Sequence, residues 1–292
     1  MEGCPEGLTG VPVRIAVFGS LNHDIVLTVP HMPASDETLR ASSYAEFCGG
    51  KGFNQAVAAA RLGATSHMIG CIGNDDAGRR LTDALDQNHV DHQFVTTTSE
   101  HTGSALITTD ANDVTIVIVP GANGSLTEAD ADAARVLLES VDILLLQGEV
   151  SHQAAALAAL IVRGAGGKVV FSPAPVHADS KLVLPHASYV VANRGEAAAL
   201  HLTPSDTVII TQGADGTRVG DVLVPVFPAT VVDPTGAGDA FTAAFAVALA
   251  EGHDVVDAVQ FGSAAGSWAV RIEGAEPSLP TRAQVESVLH HT

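Results

Sequence analysis

The chain has 292 residues, with 33 Asp and Glu against 14 Lys and Arg, a formal net charge of −19 at neutral pH. That length suffices for one large α/β domain or two ordinary ones, either able to bury a substantial core. The acidity excludes nucleic acid and anionic membrane surfaces as expected partners, since both would be repelled.

Residues 1–12 hold Glu2, Glu6 and several Gly and Pro but no basic stretch or long apolar run, so a disordered tail is expected there and not a signal peptide. Cys4, Cys48 and Cys71 are odd in number and lack CxxC spacing. Neither a disulfide framework nor a structural zinc is expected, and a reducing cytoplasm is the expected compartment. Residues 13–19 are an apolar run of buried-strand type, and 24–47 alternate as a hairpin would. Gly49, Gly50 and Gly52 then predict a non-helical turn, followed by a helix over 55–62 that stops at Gly63. The turn would expose backbone N–H groups beside Asn54, whose amide both donates and accepts.

Further strands are predicted at 65–71, 142–147, 168–172, 188–192 and 207–211, with helices at 77–87, 127–138, 152–163 and 195–202. A second hairpin is expected over 102–119. This alternation predicts a mainly parallel sheet with helices on both faces. Residues 194–206 are just long enough for a parallel crossover including its helix. The apolar helix predicted over 240–250 is closed by Glu251, Gly252 and His253, too short to span a membrane. Among 13 histidines, His89 and His92 are three apart, but nothing completes a zinc set.

The densest chemistry lies in Val231-Val232-Asp233-Pro234-Thr235-Gly236-Ala237-Gly238-Asp239-Ala240-Phe241. A strand-like run meets a Gly-rich turn opening a helix, a geometry in which backbone N–H groups attract anions and a nearby Asp can take a proton. A dinucleotide fingerprint would need a third Gly where Phe241 stands, and a P-loop would need Gly-Lys-Ser/Thr, which the chain lacks. A tight turn with Asp239 as a helix-start charge is the remaining alternative on this segment alone.

Eight motifs occur in order. They are Gly19-Ser20-Leu21-Asn22-His23-Asp24, Cys48-Gly49-Gly50-Lys51-Gly52-Phe53-Asn54-Gln55, Pro120-Gly121-Ala122-Asn123, Ser172-Pro173-Ala174-Pro175, Asn193-Arg194-Gly195-Glu196, Thr211-Gln212-Gly213, the segment around Asp239, and Gly274-Ala275-Glu276-Pro277-Ser278. Over nearly the whole chain they resemble the ribokinase-like sugar kinase family, also called PfkB. The resemblance implies a single kinase domain over 13–292, a three-layer α/β/α fold with a mainly parallel central sheet, and a small β-sheet lid from about 22–48 and 102–119.

It also implies ATP-dependent phosphorylation of a sugar. Asp239 would be the general base, with Gly236, Ala237 and Gly238 as the anion hole. Asn22, Asp24, Gly50, Lys51, Asn54 and Glu149 would bind sugar, together with Asp239. Asn193, Glu196, Thr211, Gly213, Gly216 and Gly238 would contact nucleotide. Glu196 would also serve Mg²⁺, directly or through water, although Asn193 and Glu196 equally suit an N-cap and its partner at the third helical position. K⁺ is implied at Asp233, Thr235, Ala269, Gly274 and Ser278, and a homodimer through the lid. D-ribose, giving ribose 5-phosphate, is the expected acceptor. Deoxyribose, fructose, another pentose or hexose, and nucleosides are the alternatives, because Phe53 and Ser172 depart from the residues usual in the family. A catalytically silent sugar-binding regulator is the reading from another class, and the intact Asp239 and glycines argue against it.

Overall fold

The computed structural model describes residues 12–111 and 113–290, so all but the last residue of the expected tail lies outside the described residues. The first third of the chain runs β1 (Arg14–Phe18), β2 (Asn22–Thr28), β3 (Ser43–Gly49), α1 (Lys51–Arg61), β4 (Thr65–Gly73), α2 (Asp76–Gln87), β5 (Asp91–Thr98) and β6 (Gly103–Thr109). The middle third holds β7 (Val114–Val119), α3 (Glu128–Ala133), α4 (Arg135–Leu138), β8 (Ile143–Leu146), α5 (His152–Gly164), β9 (Lys168–Phe171), α6 (Ser180–Val183), β10 (Tyr189–Asn193) and α7 (Arg194–Ala199). The last third holds β11 (Val208–Thr211), β12 (Thr217–Val219), β13 (Val222–Val224), α8 (Ala237–Ala250), α9 (Val255–Ala269), α10 (Ala275–Ser278) and α11 (Arg282–His290).

Among the described residues one sheet has nine strands in the order β13-β12-β11-β10-β9-β8-β1-β4-β5. From β11 to β5 every pairing is parallel, while β12 and β13 add an antiparallel edge. Side chains alternate across this sheet, so Ile15 and Val17 join the core under α1, α8 and α9, and Ala16 and Phe18 join the core under α3 and α5. Burial on both faces explains why β1 and β8 read as continuous apolar runs. Helix α8 is apolar nearly all round because residues from Asp239 to Leu249 are all buried.

The second sheet, ordered β3-β2-β6-β7, joins the two predicted hairpins. Each hairpin is antiparallel, and β2 pairs with β6 in parallel. Asp75 fastens this sheet to the body: it caps α2 by accepting from the Gly78 N–H at 2.8 Å, and it accepts from the Thr102 N–H and hydroxyl at 2.8 and 2.6 Å. Burial alone would raise the Asp75 pKa, but these bonds hold it below the ordinary value.

Three expectations are corrected. Helix α1 begins at Lys51, not at residue 55, and Gly52 lies inside it. The glycine serves close approach: a Cβ there would stand 2.6 Å from the Ser20 nitrogen, and only Gly50, at φ 90°, needs a left-handed backbone. The helix predicted over 127–138 is two pieces, α3 with a Thr127–Asp130 capping box and α4 after Ala134. Strands β5, β12 and β13 and helices α9 and α11 were not predicted; β12 and β13 have only three residues each, too short to show a period. The short crossover after Arg194 is present as expected, with α7 between parallel β10 and β11.

Candidate active site

The motif residues gather at the carboxyl ends of the parallel strands, where an open α/β sheet offers a crevice. The first contributor is α8. Gly236 is its N-cap at φ 80°, a conformation a larger residue resists, and Asp239 lies in the first turn. Among the described residues nothing accepts from the N–H groups of Gly236 and Gly238, and the space beside Gly238 is open. Ala237 differs from expectation: its N–H donates to the Pro234 carbonyl at 3.2 Å, so it closes the turn and is not free for an anion.

Helix α1 faces Asp239. Asn54 Nδ2 donates to Asp239 Oδ2 at 2.9 Å, and Gln55 Nε2 donates to Asp239 Oδ1 at 3.0 Å. The start of α1 is held by Glu149, which accepts from the Lys51 N–H at 3.1 Å and from the Ser20 hydroxyl at 2.5 Å. Glu149 therefore serves the start of α1, while Ser151 caps α5 by accepting from the Ala154 N–H. Burial would lower the Lys51 pKa, but Asp239, Glu149, Glu196 and Asp24 together raise it, so its ammonium stays charged among four carboxylates.

Strand β2 brings Asn22 and Asp24 to one face two residues apart. Room for them comes from glycines on the neighbouring strands: a Cβ at Gly49 would collide with the Asp24 carboxylate, and one at Gly103 with Asn22 Oδ1 and Asn123. Asn123 clamps the strand end, donating to Asn22 Oδ1 at 2.7 Å and accepting from the Leu21 N–H at 2.9 Å. Burial first, then the charges of Glu149 and Asp239, push the Asp24 pKa up to about 7. Asp24 Oδ1 and Asn54 Oδ1 are buried without a hydrogen-bond partner among the described residues. Orphaned acceptors on a carboxylate and an amide are what a polyhydroxyl ligand would satisfy.

At the other end of the crevice Asn193 and Thr211 are register partners on β10 and β11. Asn193 and Glu196 form a reciprocal capping box on α7, with the Asn193 N–H on Glu196 Oε2 and the Asn193 amide on Oε1, both at 2.8 Å. Burial raises the Glu196 pKa, and Lys51 and Asp239 are both close enough to act on it. Gly213 and Gly216 take φ 57° and 95° in the turn after Thr211. Asp233 ties two loops together, accepting from the Thr235 and Gly274 N–H groups at 2.8 Å each. Gly236 abuts Ala275, and Ser278 donates to the Ala275 carbonyl at 2.7 Å, so Thr235, Gly274 and Ser278 lie around the same turn. Ala269 is buried at the end of α9, and the carbonyl of Val270 after it accepts from the Val232 and Asp233 N–H groups.

Sequence reasoning missed Gln55, Gln147 and Ser20, and gave Asn123 no role. A buried Gln inside an Ala-rich helix was the available signal for Gln55. Phe53, named above as a departure from the family, is fully buried in the core with Val17, Leu21 and Met68.

The chain matches the model of the pfkB family carbohydrate kinases over residues 13–282. It is 38% identical to the ribokinase of Bacillus subtilis over 290 residues, covering 94% of this chain and 99% of that protein. Its fold is similar to the crystal structure of a ribokinase from Thermotoga maritima, with a TM-score of 0.85, 34% identity and coverage of 95% and 99% of the two chains. It is also similar to an Arabidopsis thaliana ribokinase complexed with ribose and ATP, with a TM-score of 0.86, 29% identity and coverage of 96% and 99%. The chain belongs to the pfkB family of carbohydrate kinases and has the ribokinase fold.

Proposed function

We propose that this pfkB-family kinase transfers the γ-phosphoryl group of ATP to the 5-hydroxyl of D-ribose, giving ribose 5-phosphate and ADP. The observation that carries the reading is Asp239 itself: a carboxylate in the first turn of α8, beside unpartnered N–H groups and two orphaned acceptors. Its similarity to ribokinases, including one bound to ribose and ATP, supports the choice of sugar and nucleotide.

Asp24, Asn22 and Asn54 hold the sugar hydroxyls, and Gly49 and Gly50 let the chain before α1 pass close to Asp24 and to the backbone of Ser20, Leu21 and Asn22. Asp239 takes the proton of the 5-hydroxyl as the new O–P bond forms and the bond from γ-phosphorus to the ADP oxygen breaks. The N–H groups of Gly236 and Gly238, with the Lys51 ammonium, face the negative charge on the transferring group. Asn193, Thr211, Gly213 and Gly216 supply the nucleotide surface.

Two cations fit the donors present. Both Glu196 oxygens already accept from Asn193, which suits Mg²⁺ reached through water and phosphate oxygens, where it would neutralise phosphate charge. The oxygen-only set of Asp233, Thr235, Ala269, Gly274 and Ser278 suits K⁺, which would stiffen the turn preceding the anion hole. Cys48 and Cys71 are free thiols, which fits a cytoplasmic enzyme.

A coupled ADP-release assay with Mg-ATP and K⁺ tests the function against ribose, deoxyribose, fructose and nucleosides. Selective turnover of ribose is the expected result. Preference for another acceptor replaces the sugar assignment, and sugar binding without turnover replaces the enzyme with a regulator.

A homodimer through the small sheet belongs to the same proposal. Val114, Ile116, Val117 and Ile118 of the edge strand β7 are all exposed, and such an edge invites a second chain. Ile116→Asp is expected to sediment as a monomer where the parent chain sediments as a dimer. A monomeric parent would remove this part of the reading.

A further inference from the structure

Asp239 does not stand alone in the crevice. Its two oxygens accept from different amides of α1, Asn54 on Oδ2 and Gln55 on Oδ1. The Gln55 side chain is fully buried, and its own oxygen accepts from Gln147 Nε2 at 2.7 Å. Gln147 follows β8, two residues before Glu149, and is itself buried.

These bonds have one consistent direction. A primary amide has an oxygen on one side and an NH₂ on the other, so it can be satisfied in only one of its two flipped states. Because the Asp239 carboxylate only accepts, the Gln55 NH₂ faces it and the Gln55 oxygen is left to accept from Gln147, whose own oxygen has no hydrogen-bond partner among the described residues. We propose that Gln147 and Gln55 form a positioning relay that orients the Asp239 carboxylate for proton abstraction. This rests on Asp239 being the general base. Gln55 on Oδ1 and Asn54 on Oδ2 together fix the orientation of the carboxylate. The relay crosses from the carboxyl end of β8 to α8 through α1, so it also links Asn54 to the base by adjacent residues. Neither glutamine is asked to touch substrate.

A charge-assisted bond from Gln55 holds the Asp239 carboxylate in one orientation. Removing the Gln55 donor should therefore leave that carboxylate free to turn away from the substrate hydroxyl.

Gln55→Leu is expected to lower kcat by roughly 10²-fold and to change the ribose KM by less than about fivefold. Gln147→Leu, which leaves the donor in place but frees it to flip, is expected to act in the same direction with roughly a tenfold loss. In an Asp239→Asn background neither substitution should lower turnover further, because residues acting through one group are not additive. A purely structural role would lower Tm and leave the kcat of the folded enzyme unchanged. An unchanged kcat in Gln147→Leu overturns the relay, and that variant decides alone if Gln55→Leu fails to fold. Full turnover in Asp239→Asn overturns the base assignment instead, so the two failures are separate readings.

Discussion

Asp239→Asn is expected to lower kcat by roughly 10³-fold while ribose still binds within about tenfold of the parent affinity, measured by turnover and by calorimetric titration of the sugar. The size follows from what the substitution removes. A neutral amide of nearly the same shape keeps the packing at the start of α8 but has no lone pair basic enough to take the hydroxyl proton. It also has one NH₂ where the carboxylate has a second oxygen. Asn54 and Gln55 both present donors to this side chain, so one of the two bonds must break. That leaves a buried donor unpaired, at a stability cost of about 1–3 kcal/mol. Asp239→Ala would leave both donors unpaired and mix a larger folding defect with the catalytic one, so the Asn variant is the cleaner test. Turnover within threefold of the parent would mean that the proton leaves by another route.

The parts of this site legible in the sequence are those whose residue type is forced by one local need. Gly236 must adopt φ 80°, and Asp239 must sit within reach of a helix start, so their spacing is visible without a structure. The parallel sheet was legible for a similar reason, since β1 and β8 bury both faces and leave no alternation to confuse with a surface strand. What escaped was set by partners distant in the chain. Gly52 looked like part of a turn because nothing in the sequence reveals that Ser20 lies against it. Gln55 and Gln147 are 92 residues apart, and their roles exist only through each other and Asp239. Ala237 looked like a third anion-hole donor because a Gly-Ala-Gly turn does not disclose which N–H is already committed to Pro234. Sequence adjacency misled in the opposite direction: Phe53 stands next to Asn54, yet on a helix adjacent side chains point apart, and the ring lies in the core.

Asp24→Asn is expected to divide function from stability. The parent side chain is buried, carries an unpartnered oxygen and stands near two further carboxylates, which is why its pKa rises from 3.8 to about 7. Folding therefore asks it to hold a proton that the unfolded chain would release above about pH 4. The folded state binds that proton more tightly across the window from about 4 to 7, so stability of the sugar-free protein is fully present below the window and is lost as pH rises through about 7. An amide has nothing to titrate. The variant should match the parent in Tm and in urea midpoint at pH 4.5 and exceed it at pH 8, by roughly 2–4 kcal/mol given a shift of this size. Ribose reverses the ranking, because its hydroxyls would supply the donors that the ionised carboxylate lacks. The variant should raise the ribose KM by roughly 10²-fold or more with the ATP KM little changed, since a site built to bind hydroxyls is left mismatched. Ribose binding to the parent near pH 6.5 should also release protons, detectable by titration calorimetry in buffers of different ionisation enthalpy. An equal Tm shift at both pH values would show that Asp24 is not protonated in the free enzyme, and equal losses in the ribose and ATP KM values would remove it from the sugar site.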